Sequence, residues 1–389
     1  MSTSLANRTP PLVSRLPAVG TTIFTVMSAL ASEHQAVNLG QGFPDFACDS
    51  ALLDCVNSAM RQGHNQYPPM AGLPALRQRV ADKILAMYGH SYSAETEITI
   101  TAGATQAILT AVLCAVHPGD EVVVLEPCYD SYAPNIELAG GRVVRVPLTP
   151  GSFRPDLARI AAALTPRTRL LMINSPHNPS ATVWRRAELE ALAELLAPTN
   201  VLLLSDEVYE HMVFDGLGHP SVSSIPALAA RSLVVSSFGK TFHVTGWKVG
   251  YVAAPAALTA EFRKVHQFNV FTVNTPMQHA LAAYMADPTP YLSLPAFYQR
   301  KRDLFLHGLR KTRLKPLHTA GSYFQLVDYS AVSRLGEAEF CQWLTREIGV
   351  AAIPLSAFYD GGFEQGLARL CFAKEDSTLG LALERLARL

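Results

Sequence analysis

The stretch Val201-Leu-Leu-Leu-Ser-Asp-Glu-Val-Tyr209 joins an apolar run to three ionisable side chains. Four consecutive large apolar residues predict a strand at Val201–Leu204 that is buried on both faces. Asp206 then lies close to buried sheet, where an unpaired carboxylate costs several kcal/mol. We therefore expect Asp206 to face a cation, either an arginine or a protonated ring nitrogen. Tyr209 follows three residues later, which could place its hydroxyl on the same side.

The same pattern continues on both sides of this stretch. Further short apolar runs predict strands at Ile98–Thr101, Glu121–Leu125, Arg169–Ile173 and Ser232–Val235. Helical patterns at Thr105–Val116 and Arg186–Leu196 lie between them. Alternation of strands and helices predicts an α/β fold in which a mostly parallel sheet is flanked by helices.

From about residue 286 the pattern changes to longer helices and isolated strands, which predicts a smaller α+β domain. Its predicted elements are Tyr298–Thr312, Tyr323–Val327, Val350–Ile353, Arg369–Phe372 and Ser377–Arg388. We predict a large domain over residues 47–285. The small domain then comprises residues 286–389 together with the N-terminal segment 1–46, which is too short to form a core alone.

The composition excludes several classes of protein. The chain has 389 residues, of which 49% are hydrophobic and 16% charged, so it can fill a large core. Lys+Arg and Asp+Glu are both 32, and without a basic excess we expect no nucleic-acid partner. No apolar run approaches the ~20 residues of a membrane span, and the N-terminus lacks a signal-peptide pattern. The six cysteines are scattered without a C-x-x-C pair, so we expect a cytoplasmic protein and no metal site.

Polar residues follow the predicted strands at the edge where ligands bind to open parallel sheets. Gly103-Ala104-Thr105 stands between a strand and a helix, where free backbone N–H groups can bind a phosphate. An ordinary capped turn is the competing interpretation of this short motif.

Lys240 follows an apolar strand and the small-residue turn Ser237-Phe-Gly. Lysines mostly lie on solvated surfaces, and burial lowers the pKa of an amine and makes it a usable nucleophile. Lys248 adds a second cation nearby, which would lower the Lys240 pKa further and offer a charge to a phosphate.

Taken in order, eight motifs resemble those of the class I, fold type I aminotransferases that depend on pyridoxal phosphate (PLP). They are Asn38–Phe46, Asn65–Tyr67, Ala102–Thr105, Glu126–Asp130, His177–Pro179, Ser205–Tyr209, Ser237–Thr241 and Arg369–Phe372. Within that family the chain most resembles the methionine aminotransferases of the kynurenine aminotransferase/glutamine transaminase K group. The resemblance implies PLP as cofactor, an amino acid and a 2-oxo acid as substrates, and a homodimer.

The resemblance also implies roles for the residues that bear on catalysis. Lys240 would hold PLP as a Schiff base and move the substrate's proton. Asp206 would pair with the ring nitrogen, whereas Asn178 and Tyr209 would hydrogen-bond the ring 3′-oxygen. Tyr129 would stack on the ring face.

Further residues would bind the phosphate and the substrate. The implied phosphate contacts are Gly103, Ala104, Thr105, Ser237 and Lys248, with Tyr67 reaching the phosphate of the neighbouring subunit. Arg369 would bind the substrate carboxylate in a bidentate pair, beside Asn178 and the backbone of Gly42. Phe24 and Phe271 would form apolar walls of the side-chain pocket, although Phe24 is equally well explained as a core aromatic.

Two positions depart from the common family pattern. Lys248 stands where many class I aminotransferases have arginine, and in this the chain resembles the kynurenine/methionine subgroup. The frequent Asn-Pro-Thr-Gly motif reads Asn178-Pro-Ser-Ala181 here, which changes the loop and keeps the asparagine.

The predicted donor is a large apolar, sulfur-containing or aromatic amino acid, with methionine first and phenylalanine, glutamine or kynurenine behind it. Aspartate-specific relatives use a second arginine from the partner chain, but the matching stretch Val270–Pro276 has no basic residue.

Two alternatives remain. A PLP-dependent C–S β-lyase acting on cysteine conjugates would use the same residues, so the sequence separates it poorly from an aminotransferase. A non-catalytic PLP sensor would need a DNA-binding extension, but only about forty residues, without the basic character of a DNA-binding segment, precede the first motif.

Overall fold

The computed structural model describes residues 12–389; residues 1–11 of the N-terminal segment, which we assign to the small domain, lie outside this range. The strands are β1 (Val37–Asn38), β2 (Ile98–Thr101), β3 (Glu121–Glu126), β4 (Arg142–Pro147), β5 (Thr168–Asn174), β6 (Leu202–Asp206), β7 (Ser232–Ser237), β8 (Gly250–Ala253), β9 (Lys315–Pro316), β10 (Phe324–Asp328), β11 (Val350–Ala351), β12 (Ile353–Pro354) and β13 (Leu367–Cys371).

The α-helices of the described range are α1 (Ile23–Glu33), α2 (Ser50–Arg61), α3 (Pro74–Tyr88), α4 (Gly103–Ala115), α5 (Tyr132–Leu138), α6 (Leu157–Ala163), α7 (Arg186–Leu196), α8 (Pro226–Ala229), α9 (Phe238–Thr241), α10 (Ala256–Asn269), α11 (Thr275–Tyr284), α12 (Thr289–Leu292), α13 (Leu294–Leu309), α14 (Glu337–Trp343) and α15 (Asp376–Leu386). Short 3₁₀ helices occur at Val222–Ser224, Thr245–Trp247 and Leu355–Phe358, and a π-helical turn at Leu344–Ile348.

The central sheet has seven strands in the order β2-β8-β7-β6-β5-β3-β4. Neighbouring strands from β7 to β4 run parallel, whereas β8 is antiparallel to both β7 and β2. This architecture confirms the predicted α/β class with a mostly parallel sheet. Parallel β5, β6 and β7 bring their carboxyl ends to one edge, so the side chains that follow them meet there.

Alternate residues of each strand pack on opposite faces of the sheet, as the two-residue period requires. Val122 and Val124 belong to one buried cluster with Ile108 of α4, whereas Val123 belongs to a second cluster with Leu192 of α7. Helices therefore cover both faces, which fixes the strand register and the positions of the strand ends.

A four-stranded sheet, β12-β13-β10-β9, forms in the C-terminal part of the chain. The N-terminal segment joins this part: β1 pairs in parallel with β11, and the Cys371 amide donates to the Leu39 carbonyl at 2.7 Å. These contacts support the proposed grouping of the N-terminal segment with residues 286–389.

One element prediction in this part is wrong. The expected strand Val350–Ile353 is two short strands, because the chain changes sheets at Ala352: β11 pairs with β1, and β12 pairs with β13. The predicted helix Tyr298–Thr312 begins earlier, at Leu294, and ends at Leu309. No helix within residues 12–389 is both long and apolar enough to cross a membrane.

Candidate functional site

A cavity of about 280 Å³ opens at the carboxyl edge of the central sheet. It is lined by thirteen of the residues that the sequence singled out: Phe24, Gly42, Gly103, Ala104, Thr105, Tyr129, Asn178, Asp206, Tyr209, Ser237, Lys240, Lys248 and Arg369. These positions span residues 24 to 369 and come together through the parallel strand ends and the C-terminal sheet.

One end of the cavity is suited to an anion. Helix α4 begins at Gly103, and no side chain caps its N-terminus, so its first N–H groups are not satisfied by a cap. Gly103 has a φ of +77°, and a Cβ at this position would lie 3.3 Å from Lys248 Nζ. Glycine thus lets the helix end and an ammonium group approach each other closely.

The Lys248 backbone is itself left-handed, with a φ of +53°, which few residues other than glycine adopt. Ser237, at the end of β7, lines the same cavity. A helix N-terminus, a hydroxyl and an ammonium group are all donors that can bind an anion.

Asp206 ends β6 and is 5% exposed. Its Oδ2 accepts a hydrogen bond from the Tyr132 hydroxyl at 2.7 Å. Burial raises the pKa of this carboxyl to about 6, against the lowering effects of the Tyr132 hydrogen bond and the Lys240 charge. A cation placed beside Asp206 would keep the carboxylate ionised.

Lys240 lies in the short helix α9, directly after β7, and its amine donates to the Tyr323 hydroxyl at 2.8 Å and to the Gly42 carbonyl at 3.0 Å. Burial lowers the pKa of this amine to about 8, and the charges of Arg369 and Lys248 add to the lowering. A neutral, nucleophilic amine is therefore accessible near physiological pH.

Arg369 is 1% exposed and stands on β13. Its two terminal nitrogens donate to Asn178 Oδ1 at 2.6 Å and to the Gly40 carbonyl at 3.0 Å. Its Nε has no hydrogen-bond partner in the described part of the chain, and no carboxylate there lies within 4.0 Å. Burial lowers the pKa of the guanidinium to about 10.

Aromatic rings surround the Arg369 guanidinium. The ring centroids of Phe324, Phe358 and Phe24 lie 4.0, 4.9 and 5.3 Å from its central carbon. Phe24 is thus a cavity residue that also packs edge-on against Phe358 at 5.9 Å. Gly42 must be small at this place, because a Cβ would lie 2.8 Å from the Phe324 ring.

The loop after β5 carries Asn178 and the two residues that depart from the common motif. The backbone amide of Asn178 donates to Asn174 Oδ1 at 2.8 Å, and this hydrogen bond anchors the loop to the strand end. Ala181 adopts a left-handed φ of +61°, the conformation that glycine at this position would adopt without strain. The Ala181 carbonyl accepts from the amides of Ala320 and Gly321, both at 3.0 Å, so this loop contacts the C-terminal part.

Tyr67 and Phe271 do not line the cavity of their own chain. They lie together at another surface, with ring centroids 5.3 Å apart, and are 81% and 46% exposed. Their implied roles at the active site depend on a second subunit and stay predictions.

Sequence reasoning missed three polar residues that position this site: Tyr132, Asn174 and Tyr323. Asn174 carried a usable signal, because it directly follows the predicted strand Arg169–Ile173. Tyr132 and Tyr323 are 2% and 0% exposed, and a buried aromatic residue looks like part of the core. Only their contacts with Asp206 and Lys240 distinguish them.

Comparison with protein families matches residues 34–386 to the model described as aminotransferase class I and II. A methionine aminotransferase of Escherichia coli is 54% identical over 382 residues, covering 97% of this chain and 99% of that protein. Human kynurenine–oxoglutarate transaminase 1 is 35% identical, covering 92% of this chain and 93% of that protein.

Among solved structures, the fold is similar to the crystal structure of an Escherichia coli protein identified as a methionine aminotransferase. The TM-score is 0.96 at 54% identity, with 97% of this chain and 100% of that chain covered.

Proposed function

Because this chain belongs to the aminotransferase class I and II family, we propose that it is a PLP-dependent enzyme that prefers methionine as amino donor. The aminotransferase activity follows from family membership and full-length similarity. The cofactor, the residue roles, the donor preference and the dimeric site are the proposed parts.

One observation carries the proposal. Arg369 contributes a buried guanidinium to the wall of the cavity that holds the Lys240 amine, and no carboxylate lies within 4.0 Å of it in the described residues. The Asp130 charge acts on Arg369 but makes no ion pair with it within 4.0 Å. A buried cation without a directly paired carboxylate is costly, so the site favours an anion that arrives with the substrate. A 2-amino or 2-oxo acid fits this arrangement, because its carboxylate can bind Arg369 while its α-carbon lies near the Lys240 amine.

The donor groups around the cavity fit PLP. The N-terminus of α4, Ser237 and Lys248 can hold its phosphate, and Asp206 can face its ring nitrogen. Tyr129 offers a ring face, and Tyr209 with Asn178 can bind the 3′-oxygen. When bound, PLP supplies an aldehyde and an electron-withdrawing ring that takes up the electron pair left at the substrate α-carbon.

The protein's own residues would then bind and orient the substrate and move its α-proton. Arg369 and Asn178 hold the substrate carboxylate, which fixes the direction of the α-C–H bond. Lys240 Nζ accepts the α-proton and returns it, since its lowered pKa suits both directions near neutral pH. Asp206 stays ionised opposite a cationic ring nitrogen.

The donor preference rests on the apolar character of the pocket. Phe24 lies beside Arg369, and the stretch from Val270 to Pro276 has no basic residue that could hold a side-chain carboxylate. Burial of a methionine-sized side chain contributes roughly 2 kcal/mol at about 25 cal/mol per Å². This free energy corresponds to a ~30-fold difference in binding, which ranks amino donors but does not exclude those with similar side chains. We therefore expect broad specificity, with aspartate a poor donor.

A matrix of amino donors against 2-oxo acids tests this function. Methionine, phenylalanine, kynurenine, glutamine and aspartate are compared with one common acceptor, and kcat/KM is expected to be highest for methionine. If aspartate is the best donor, the account of the pocket is wrong. Release of pyruvate and ammonia from a cysteine conjugate without an added 2-oxo acid would instead favour the β-lyase.

A further inference from the structure

The Lys240 amine is held by two groups that the proposed function does not use as catalysts. Nζ donates to the Tyr323 hydroxyl at 2.8 Å and to the Gly42 carbonyl at 3.0 Å. The Tyr323 hydroxyl in turn donates to the same carbonyl at 2.5 Å. The three polar atoms close a triangle that joins α9, the residue directly before β10, and the N-terminal segment.

We propose that Tyr323 is a positioning residue that holds the free Lys240 amine in its reactive orientation whenever the amine is not bonded to the cofactor. This inference rests on the proposed function. Tyr323 does not line the cavity, so it would act through Lys240 and not through contact with substrate.

Counting protons supports this role. Because the tyrosine proton is given to Gly42, its oxygen is left as an acceptor for the amine. A neutral amine has two N–H bonds and one lone pair, and Tyr323 and Gly42 take up both N–H bonds. The lone pair then takes no part in these hydrogen bonds, and it is the lone pair through which a nucleophile or a proton acceptor reacts.

Tyr323 is rigid enough to serve as a fixed support. Its side chain is 0% exposed, and its carbonyl accepts from the Phe372 amide at 3.0 Å. The ring packs against Phe324, Tyr209 and Tyr298, with centroids 4.9, 5.0 and 5.9 Å away. Phenylalanine can occupy the same space, so Tyr323→Phe removes the hydroxyl and keeps the packing.

Tyr298 offers a matched control. It is also 0% exposed and a neighbour of Tyr323, but its hydroxyl has no hydrogen-bond partner in the described residues. Tyr298→Phe therefore removes a buried tyrosine hydroxyl that makes no hydrogen bond with Lys240.

The first measurement uses the apoprotein. PLP is mixed with wild type, Tyr323→Phe and Tyr298→Phe, and the rate of cofactor capture on Lys240 is followed by stopped-flow absorbance. We expect capture to slow about 10-fold or more in Tyr323→Phe alone, since a misplaced reactive group costs up to ~100-fold. Wild type that captures no PLP would reject the proposed function, whereas equal capture by wild type and Tyr323→Phe would reject only the positioning role.

The second measurement uses the loaded enzymes with methionine and one 2-oxo acid. For Tyr323→Phe we expect kcat to fall roughly 10- to 100-fold while KM stays within about 3-fold, because the substrate contacts remain. A loss that falls on KM, or an equal loss in Tyr298→Phe, would overturn the proposal.

A third measurement applies even if Tyr323→Phe does not fold. In a crystal structure of wild type with pyridoxamine phosphate, the Lys240 amine is free. We expect its Nζ within about 3.2 Å of the Tyr323 hydroxyl, and an amine placed elsewhere would contradict the inference.

Discussion

At the scale of single residues, the pKa of Lys240 leads to a direct prediction. Burial lowers the amine pKa from 10.5 to about 8, so the neutral fraction reaches one half near pH 8. The rate at which the apoprotein captures PLP should rise with pH with a midpoint near 8. Nα-acetyl-lysine, measured in the same buffers, should continue to rise to about 10.4. A protein midpoint at or above pH 10 would show that the cavity does not lower the pKa of this amine.

Arg369 leads to a second prediction at this scale. Arg369→Lys keeps one charge and loses the fork geometry that binds a carboxylate through two bonds. The lost bond to a charged group should cost about 1.5–3 kcal/mol, which raises KM for donor and acceptor roughly 10- to 150-fold. PLP binding should persist, as absorbance of the loaded variant would report. An unchanged KM for both substrates would exclude the assigned role.

At the scale of elements, the loop after β5 makes a prediction about stability. Ala181 is left-handed, which costs about 1–2 kcal/mol and exceeds the entropy cost of glycine. Ala181→Gly relieves this strain but loses a buried methyl group worth about 0.8 kcal/mol, so the free energy of unfolding should stay within about 0.5 kcal/mol of wild type. Denaturant unfolding measures this, with Ala191→Gly in the middle of α7 as the control, where the loss should be about 1 kcal/mol. Destabilisation in both variants would show that the Ala181 backbone is not strained.

The predicted elements were most accurate where the pattern was buried and continuous. Strand β2 and helix α7 match their predicted ranges, since four apolar or β-branched residues and an amphipathic stretch leave few alternatives. Strand β4 was missed because arginines interrupt its apolar residues at the exposed edge of the sheet. Strand β8 was missed because it begins with glycine, which weakens the sequence pattern of a strand.

The sequence predicts those site residues whose polar side chains are unexpected next to a buried strand. An aspartate and a lysine directly after buried strands are anomalous, so Asp206 and Lys240 are visible in the sequence alone. Their supports are not visible, because Tyr132 and Tyr323 come from distant elements and owe their roles to contacts made only in the folded chain.

At the scale of the whole molecule, we predict that the working unit is a homodimer with shared sites. Tyr67 and Phe271 are exposed and pack on each other away from the cavity of their own chain. Mixed Tyr67→Phe and Lys240→Ala chains, each inactive alone, should form heterodimers with one intact site. Random pairing would restore about one quarter of wild-type activity. A fully active monomer in sedimentation and assay would exclude sharing.

The central claim is that this chain transfers an amino group through Lys240. The most direct measurement supplies [¹⁵N]methionine and an unlabelled 2-oxo acid to the PLP-loaded protein and follows the label by mass spectrometry. We predict that ¹⁵N appears in the amino acid formed from the 2-oxo acid with wild type, and that Lys240→Ala transfers at most a trace. Label that stays in methionine or leaves as ammonia, or transfer by Lys240→Ala at a rate near wild type, would contradict the account.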